Sequence, residues 1–477
     1  MSKPFVATFG PWMPDGADIA FTMPFQYRDT TVPLADVLNV YFAQGAYRSL
    51  PSFAALSGVP GIGAQALGAW TALDSSGSPQ IYAGAASDLY HWTGSAWSSV
   101  SKSAGAYSGA AHWSFATFGG CILGADGIHA LQDMAVGGAN FADITAAPIG
   151  NVLGVINQFL LVGDIPAANP YRVQWCAQGD PTTWPTPLTD TAVADQSSYE
   201  DLDQEFGQVL YIGGGPQMGV ILQRNGLTRA SYAGGDVVFN FLPIERKRGV
   251  IARGAAVQVG SVTHFIADDG FWATDGSQNT PTGTTNQAAL DKWFLSNVNW
   301  NAIGTIRAGW DATLKCVVYA IPTGSNTLPD TLLLLNPQSG YWTKAAIPTE
   351  MLWTDQTGLQ HRLGLFNQSH AVGYLTGASA SGYCETYDVS FVDGQIRHVS
   401  EAQPHILCTD SPTMRIAAKE SIDDALSYTS DVTRDSFSKR CSFDTLPGGM
   451  MMRARVTSSA ASAIQGATLY TEQGGSV

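Results

Sequence analysis

Apolar and polar residues along this chain come in short runs, cut by corners rich in Gly and Asp. In FIADDGFWATDGSQ, residues 265–278, two Asp-Gly pairs stand against apolar neighbours: Asp269-Gly270 and Asp275-Gly276, beside Phe265, Ile266, Phe271 and Trp272. Asp-Gly between apolar runs is a hairpin signal. A tight turn asks for positive φ at its centre, which Asp tolerates and Gly adopts freely. The stretch therefore predicts strand, turn, short strand, turn, with both Asp residues as corners and not as catalytic groups. Related phrases surround Gly94 (LYHWTGSAWSS), Gly127 (CILGADGIHAL) and Gly340 (LLLLNPQSGYWTKA). Sialidase-like propellers also carry Asp in such turns, but DDGFWATDGS does not fit their Ser-x-Asp-x-Gly-x-Thr-Trp spacing.

The units recur every 35 to 45 residues or so, starting near Gly77, Trp113, Ile149, Phe206, Gly249, Ile306 and Met351. A period of this size, built of strands and without WD or kelch signatures, predicts a degenerate β-propeller. One small sheet cannot bury both faces, whereas a ring of radially packed sheets covers each face with its neighbour. An array of β-sandwiches is the competing fold. Three zones follow. Residues 1–75 are rich in Pro, Gly and Ala and form an extended segment that contributes to a platform. Residues 76–377 form the propeller. Residues 378–477, opening on GASASG, form a β-rich platform domain. In MMMRARVTS, Met450, Met452, Ala454 and Val456 alternate with Met451, Arg453 and Arg455, one buried and one wetted face of an antiparallel strand. The fold class is thus all-β. One segment departs from it: NQAALDKWFLSNVN sets Leu290, Trp293, Phe294 and Val298 at helical spacing, with Thr285 or Asn286 as cap.

Charge changes the functional picture. Only 13% of the residues are charged, about half the usual share. Lys+Arg 24 against Asp+Glu 39 leaves a net charge of −15. Tight nucleic-acid binding needs basic residues that replace phosphate counterions, and this balance argues against it. The cysteines at 121, 176, 316, 384, 408 and 441 stand singly, as expected of reduced thiols in strands and not of a zinc ribbon. The start, MSKPFVATFGPWMPDG, lacks the apolar core of a signal peptide. The longest apolar run, VLGVINQFLLV, is broken by Asn157 and Gln158 and is too short to span a bilayer. The expectation is a protein made and kept in a cytoplasm, without a membrane anchor, unless lysis or a specialised route releases it.

Candidate chemistry is sparse. HVSEAQPH brings His398, Glu401 and His405 close in sequence, a metal-ligand set against which an ordinary loop is the more economical reading. HExxH, GxSxG, P-loop and dinucleotide fingerprints are missing, and neither a cofactor nor a metal is expected. Asp268 and Asp269 are adjacent, and in a strand adjacent side chains point to opposite faces. The densest basic cluster, ERKRG, offers Arg246, Lys247 and Arg248 as a partner contact against the simpler reading of a solvated loop. In QGDPTTWPTPLTD, Trp184 and Pro185 are further interface candidates. Trp184 is expected to pack on the strand holding Val173 and Trp175, and to anchor a connection that runs to about residue 205 and meets a neighbouring subunit.

GPWMPDGADI and YRSLPSF, then YRVQWCAQGDPTTWP, GQVLYIGGGPQMGVILQRNGLTRASYAGGDVVFNF, GSVTHFIADDGFWATDGS and DKWFLSNVN, occur in this order. Together they resemble the tail-nozzle or tail-hub proteins of short-tailed bacteriophages, also called packaged-DNA-stabilising proteins. The likeness runs to about residue 345 and is weaker after it. It implies a propeller subunit with a β-rich platform, forming a ring, usually hexameric, below the portal and adaptor in the virion tail, after assembly in the host cytoplasm. It implies a tail fibre, spike or needle as a further partner, and genomic DNA that is held and then passes through the ring without specific contact. A low-charge acidic wall suits such a conduit, since each Lys or Arg facing DNA adds a phosphate contact. Two alternatives stand beside it. One is a glycan-binding or glycan-hydrolysing propeller, in which Arg224, Arg229 and Asp268 would converge on a central pocket. The other is a tail-tip subunit of a longer-tailed phage or gene-transfer agent.

Overall fold

The strand–turn–strand units fold into seven separate four-stranded antiparallel sheets, six of them with all four strands in sequence order. The computed structural model describes residues 3–14, 30–56, 61–167, 169–235, 237–283, 287–358, 361–390, 396–420, 424–444 and 447–473. The first strands of the seven sheets are Gly68–Leu73, Ser114–Phe118, Val152–Ile156, Val209–Gly213, Ala256–Val259, Arg307–Asp311 and Thr349–Asp355. Each packs beside the first strand of the next sheet, and the last packs beside the first. The result is a closed seven-bladed β-propeller, not a sandwich array. Second strands lie between neighbouring blades and need apolar side chains on both faces. Cys316–Ile321 (CVVYAI) and Phe159–Ile165 (FLLVGDI) are accordingly buried at every position.

The ring is closed by a strand from far away in sequence. Phe53–Ala55 pairs with Val372–Leu375 and completes the seventh blade. Together with Gly68–Leu73, which opens the first blade, it moves the propeller boundary into the 1–75 zone, where both segments were expected to be platform. The first unit accordingly starts at Gly68, ahead of the Gly77 expected from the repeat.

The platform is one large sheet built from both ends of the chain. Lys3–Trp12 pairs parallel with Thr30–Leu38 and antiparallel with Ala461–Gln473. Gly382–Thr386, Met451–Ser458 and Thr413–Lys419 extend the path on one side. On the other side Arg397–Cys408 pairs with Ala461–Gln473. The ends of the path approach each other: Val432–Thr433 pairs with Thr413–Lys419, and Cys441–Ser442 pairs with Arg397–Cys408. Met452, Ala454 and Val456 are buried while Met451, Arg453 and Arg455 are part-exposed, the alternation expected of a strand with one wet face. The six cysteines form no disulfide, and four of them are buried.

Platform and propeller share a core. Trp12, Val37 and Val456 of the platform belong to the same buried cluster as Leu222 of the fourth blade, Phe265 and Phe271 of the fifth, and Tyr319 and Trp342 of the sixth. The expected helix, Gln287–Asn297, sits at this joint with Leu290 and Phe294 fully buried. Trp293 meets Trp12 edge-on at 5.4 Å. The Lys344 ammonium lies 5.4 Å from the ring of Trp12 and 2.7 Å from Asp36. Asn39 donates its N–H to the Lys344 carbonyl at 2.9 Å. Both cap candidates, Thr285 and Asn286, lie outside the described residues. No helix among the described residues is long and apolar enough to cross a membrane.

The helix also sets a pH dependence. Asp291 Oδ1 accepts from the Phe271 N–H at 3.2 Å and from Gln287 Nε2 at 2.7 Å, yet burial raises its carboxyl to about 6. An unfolded Asp titrates near 3.9. The folded state therefore binds this proton more tightly, and its contribution to stability is lost as pH rises from about 4 through about 6. Asp291→Asn removes the charge that burial disfavours. It is expected to gain about 1 kcal/mol at pH 7.5, after allowance for solvent screening, and nothing near pH 4. Urea titrations at the two pH values measure this. A loss at pH 7.5 would mean that the two accepted hydrogen bonds outweigh the burial of charge.

Candidate functional site

The Asp-Gly corners are turns, with one shift of register. Ala267 pairs with Gly270, so the first turn is centred on Asp268-Asp269 and Gly270 already begins the next strand. The second is an Asx turn: Asp275 Oδ1 accepts from the Ser277 N–H at 2.8 Å, the Ser277 hydroxyl at 2.6 Å and the Gln278 N–H at 3.2 Å. These bonds, the Ser277 hydroxyl foremost, hold the Asp275 carboxyl below its usual range.

Asp268 and Asp269 are clamped from the fourth blade and from the linker that follows it. Arg224 grips Asp268 with two bonds, at 2.8 and 3.0 Å. Arg248 binds Asp269 at 2.7 Å and stacks over Trp272 at 4.1 Å, whose indole N–H also reaches Asp269, at 2.9 Å. Arg246 pairs with Asp203 at 3.3 Å. Two members of the basic cluster are thus tied to carboxylates of their own chain, while Lys247 is exposed and makes no ion pair among the described residues. Arg229 lies against the Gly276 carbonyl, at the other end of the Gly270–Thr274 strand from Asp268. Arg224, Arg229 and Asp268 therefore do not converge.

Trp184 is 5% exposed, but it packs elsewhere than expected. It joins Leu160, Cys176 and Leu123 between the second and third blades, whereas Val173 and Trp175 belong to the core between the third and fourth. Its indole N–H donates to the Pro181 carbonyl at 2.8 Å, and Pro185 is half-buried beside it. The connection that follows carries two bare apolar side chains, Leu188 at 80% and Val193 at 59% exposure. His398, Glu401 and His405 lie on one strand, Arg397–Cys408. The two histidines are seven residues apart, roughly 23 Å in extended chain, too far for one ion. Glu401 is held by Arg440 at 2.6 Å and His405 by Thr468 at 2.8 Å. No group of three or more His, Cys, Asp or Glu among the described residues is placed to hold a metal.

The polar groups that do converge are ones the sequence did not single out. Most stand just before or at the start of the first strands, at one mouth of the central channel, and Asp164 stands at the adjoining end of the third blade's second strand. Arg253, leading into the fifth blade, reaches Asp164 of the third at 2.6 Å, so the ion pair passes over the sector of the fourth. Asp164 is 2% exposed and also accepts from Asn151 Nδ2 at 2.9 Å. His112, leading into the second blade, has Nε2 3.0 Å from the Asn151 carbonyl. A carbonyl only accepts, so Nε2 carries the proton of the neutral ring. Burial first, then the charges of Arg253 and Arg307, lower the His112 pKa to about 4. Arg307, the first residue of the sixth blade, donates from Nη1 to the carbonyls of Gly304 and Ile306, each at 2.8 Å, and from Nε to Met351 Sδ at 3.1 Å. Burial lowers its pKa to about 10. Next to it, Glu350 accepts from the Ala66 N–H at 3.0 Å and meets His370 Nδ1 at 2.8 Å, tying the seventh blade to the segment that enters the first. Burial raises the Glu350 carboxyl.

No family model and no curated protein matches this chain. Among solved structures it is similar to the computationally designed protein Ika8, at 9% identity over 72% of this chain and 97% of that one, with a TM-score of 0.39. It is also similar to BamB from Moraxella catarrhalis, at 10% identity over 72% of this chain and 96% of that one, with a TM-score of 0.36.

Proposed function

We propose that this chain is a structural subunit of the tail of a short-tailed bacteriophage, of the nozzle or hub type. In that role about six copies form a ring beneath the portal and adaptor. The ring retains packaged DNA, passes it at ejection and receives a fibre, spike or needle. The subunit is made in the host cytoplasm, resides in the virion, catalyses no reaction and needs no cofactor. The observation that carries this is a two-part body joined by one core, with large apolar side chains bare on its surface. One core runs from the platform into three blades, while Leu188, Val193 and Phe437, the last 96% exposed, face outward from hydrogen-bonded segments. Large exposed apolar side chains on hydrogen-bonded segments suit contacts with neighbouring subunits. The ordered likeness to nozzle proteins supplies the kind of assembly.

Mass photometry of the purified chain, alone and with its adaptor, tests the proposal. A species of about six subunits is expected, and it should persist in molar sodium chloride, because apolar contacts are not weakened by screening. Leu188→Asp and Phe437→Asp should shift it to monomer with an unchanged unfolding midpoint. A monomer under every condition, or a ring indifferent to both substitutions, would refute the proposal.

A further inference from the structure

We propose that the mouth of the propeller channel binds one compact oxyanion, a phosphate or carboxylate group, held by Arg307 and Arg253 and bordered by His112. This is independent of the role in a phage tail. Arg253 has a carboxylate partner in Asp164. Arg307, half-buried at the axis, has none within 4 Å among the described residues; its three hydrogen bonds go to two carbonyls and a thioether. A guanidinium so placed keeps its full charge in a low-dielectric setting with neutral partners only, which favours an anion arriving from solvent.

Each guanidinium also keeps an open donor. Among the described residues Arg307 Nη2 makes no hydrogen bond and is not closed off from solvent, and the same holds for Nη1 of Arg253. The two arginines form one cluster. A side chain on Gly254, next to Arg253, would place its Cβ 2.9 Å from Arg307 Nη1, so the linker backbone lies directly on the second guanidinium. His112 feels both charges from the side of the second blade, and its ring stays neutral. Arg253 and Arg307 thus lie side by side at the starts of the fifth and sixth blades, near His112 of the second. One terminal nitrogen from each guanidinium is left to donate to the oxygens of a carboxylate or a phosphate, in charge-assisted hydrogen bonds. Two donors this close suit a compact head group.

Calorimetric titration of the full chain with phosphate and with acetate, each against chloride at matched ionic strength, tests this. One saturable site per chain is expected for the oxyanion, with a higher unfolding midpoint. Arg307→Gln should weaken binding at least tenfold, and Lys247→Gln, a remote exposed control, should not. If Arg307→Gln fails to fold, Arg307→Lys keeps the charge and loses the Nη2 donor, and at least a threefold loss is expected. Tighter phosphate than acetate assigns a phosphate ligand, and the reverse a carboxylate. Equal behaviour of all three anions with the wild-type chain, or undiminished affinity in both Arg307 variants, would overturn the proposal.

Discussion

Gly270→Val will destabilise the protein by about 3 kcal/mol or more, and most of the loss will come from two independent causes. Gly270 has φ +131, a backbone conformation that a β-branched residue resists. A Cβ there would also fall 2.2 Å from the carboxyl carbon of Asp291, inside any permissible contact. The Asp291 carboxyl would have to leave the hydrogen bonds it accepts from Phe271 and Gln287, or the helix Gln287–Asn297 would have to shift, and the helix is anchored by Phe294, fully buried against Phe271 in the core shared with the platform. Asp269→Asn is the contrast. It loses the charge opposite Arg248 at a partly exposed site and should cost less than about 1 kcal/mol. Urea denaturation of the two variants at neutral pH measures both. A Gly270→Val variant within about 1 kcal/mol of wild type would show that the hairpin re-registers around the new side chain.

That contrast marks what the sequence could reveal. Turns and strand alternation are local, and the repeat starts read at Trp113, Ile149, Phe206, Ile306 and Met351 fall within three residues of the first strands they predict. Gly249 precedes its strand by seven residues, because the linker at Val250–Ala255 adds turns of its own. The closing strand Phe53–Ala55 was not legible. Its three residues, FAA, carry no period, and its partner, Val372–Leu375, lies at the far end of the propeller. The axial cluster was hidden for a related reason. His112, Asp164, Arg253 and Arg307 come from four different blades, and each looks ordinary among its own neighbours in sequence. Only ring closure brings them together. A signal did exist: His112, Arg253 and Arg307 each stand within three residues of the start of a first strand, the point in every unit that faces the axis. Conspicuous runs misled in the other direction. ERKRG is dense in charge, but Arg246 and Arg248 are tied within the chain by Asp203 and Asp269.

The axial ion pair carries the second large effect. Asp164 is 2% exposed and, among the described residues, has only Asn151 Nδ2 and Arg253 Nη2 as side-chain donors. Arg253→Ala leaves that carboxylate buried with one neutral donor, and breaking a buried pair from one side costs about 3 kcal/mol. The substitution also frees the linker ahead of the fifth blade from the third blade's second strand. Asp164→Asn in the same chain should restore most of the loss. Asn accepts the left-handed backbone that Asp164 holds, at φ +54, and brings no charge to bury. A double-mutant cycle by urea denaturation should therefore give a coupling above 1 kcal/mol, with Arg253→Ala the worst of the three variants. If Arg253→Ala costs no more than a surface substitution, water reaches Asp164 at the axis. The mouth would then be wider than the ion pair across it implies, and its two guanidiniums would sit in a wet vestibule.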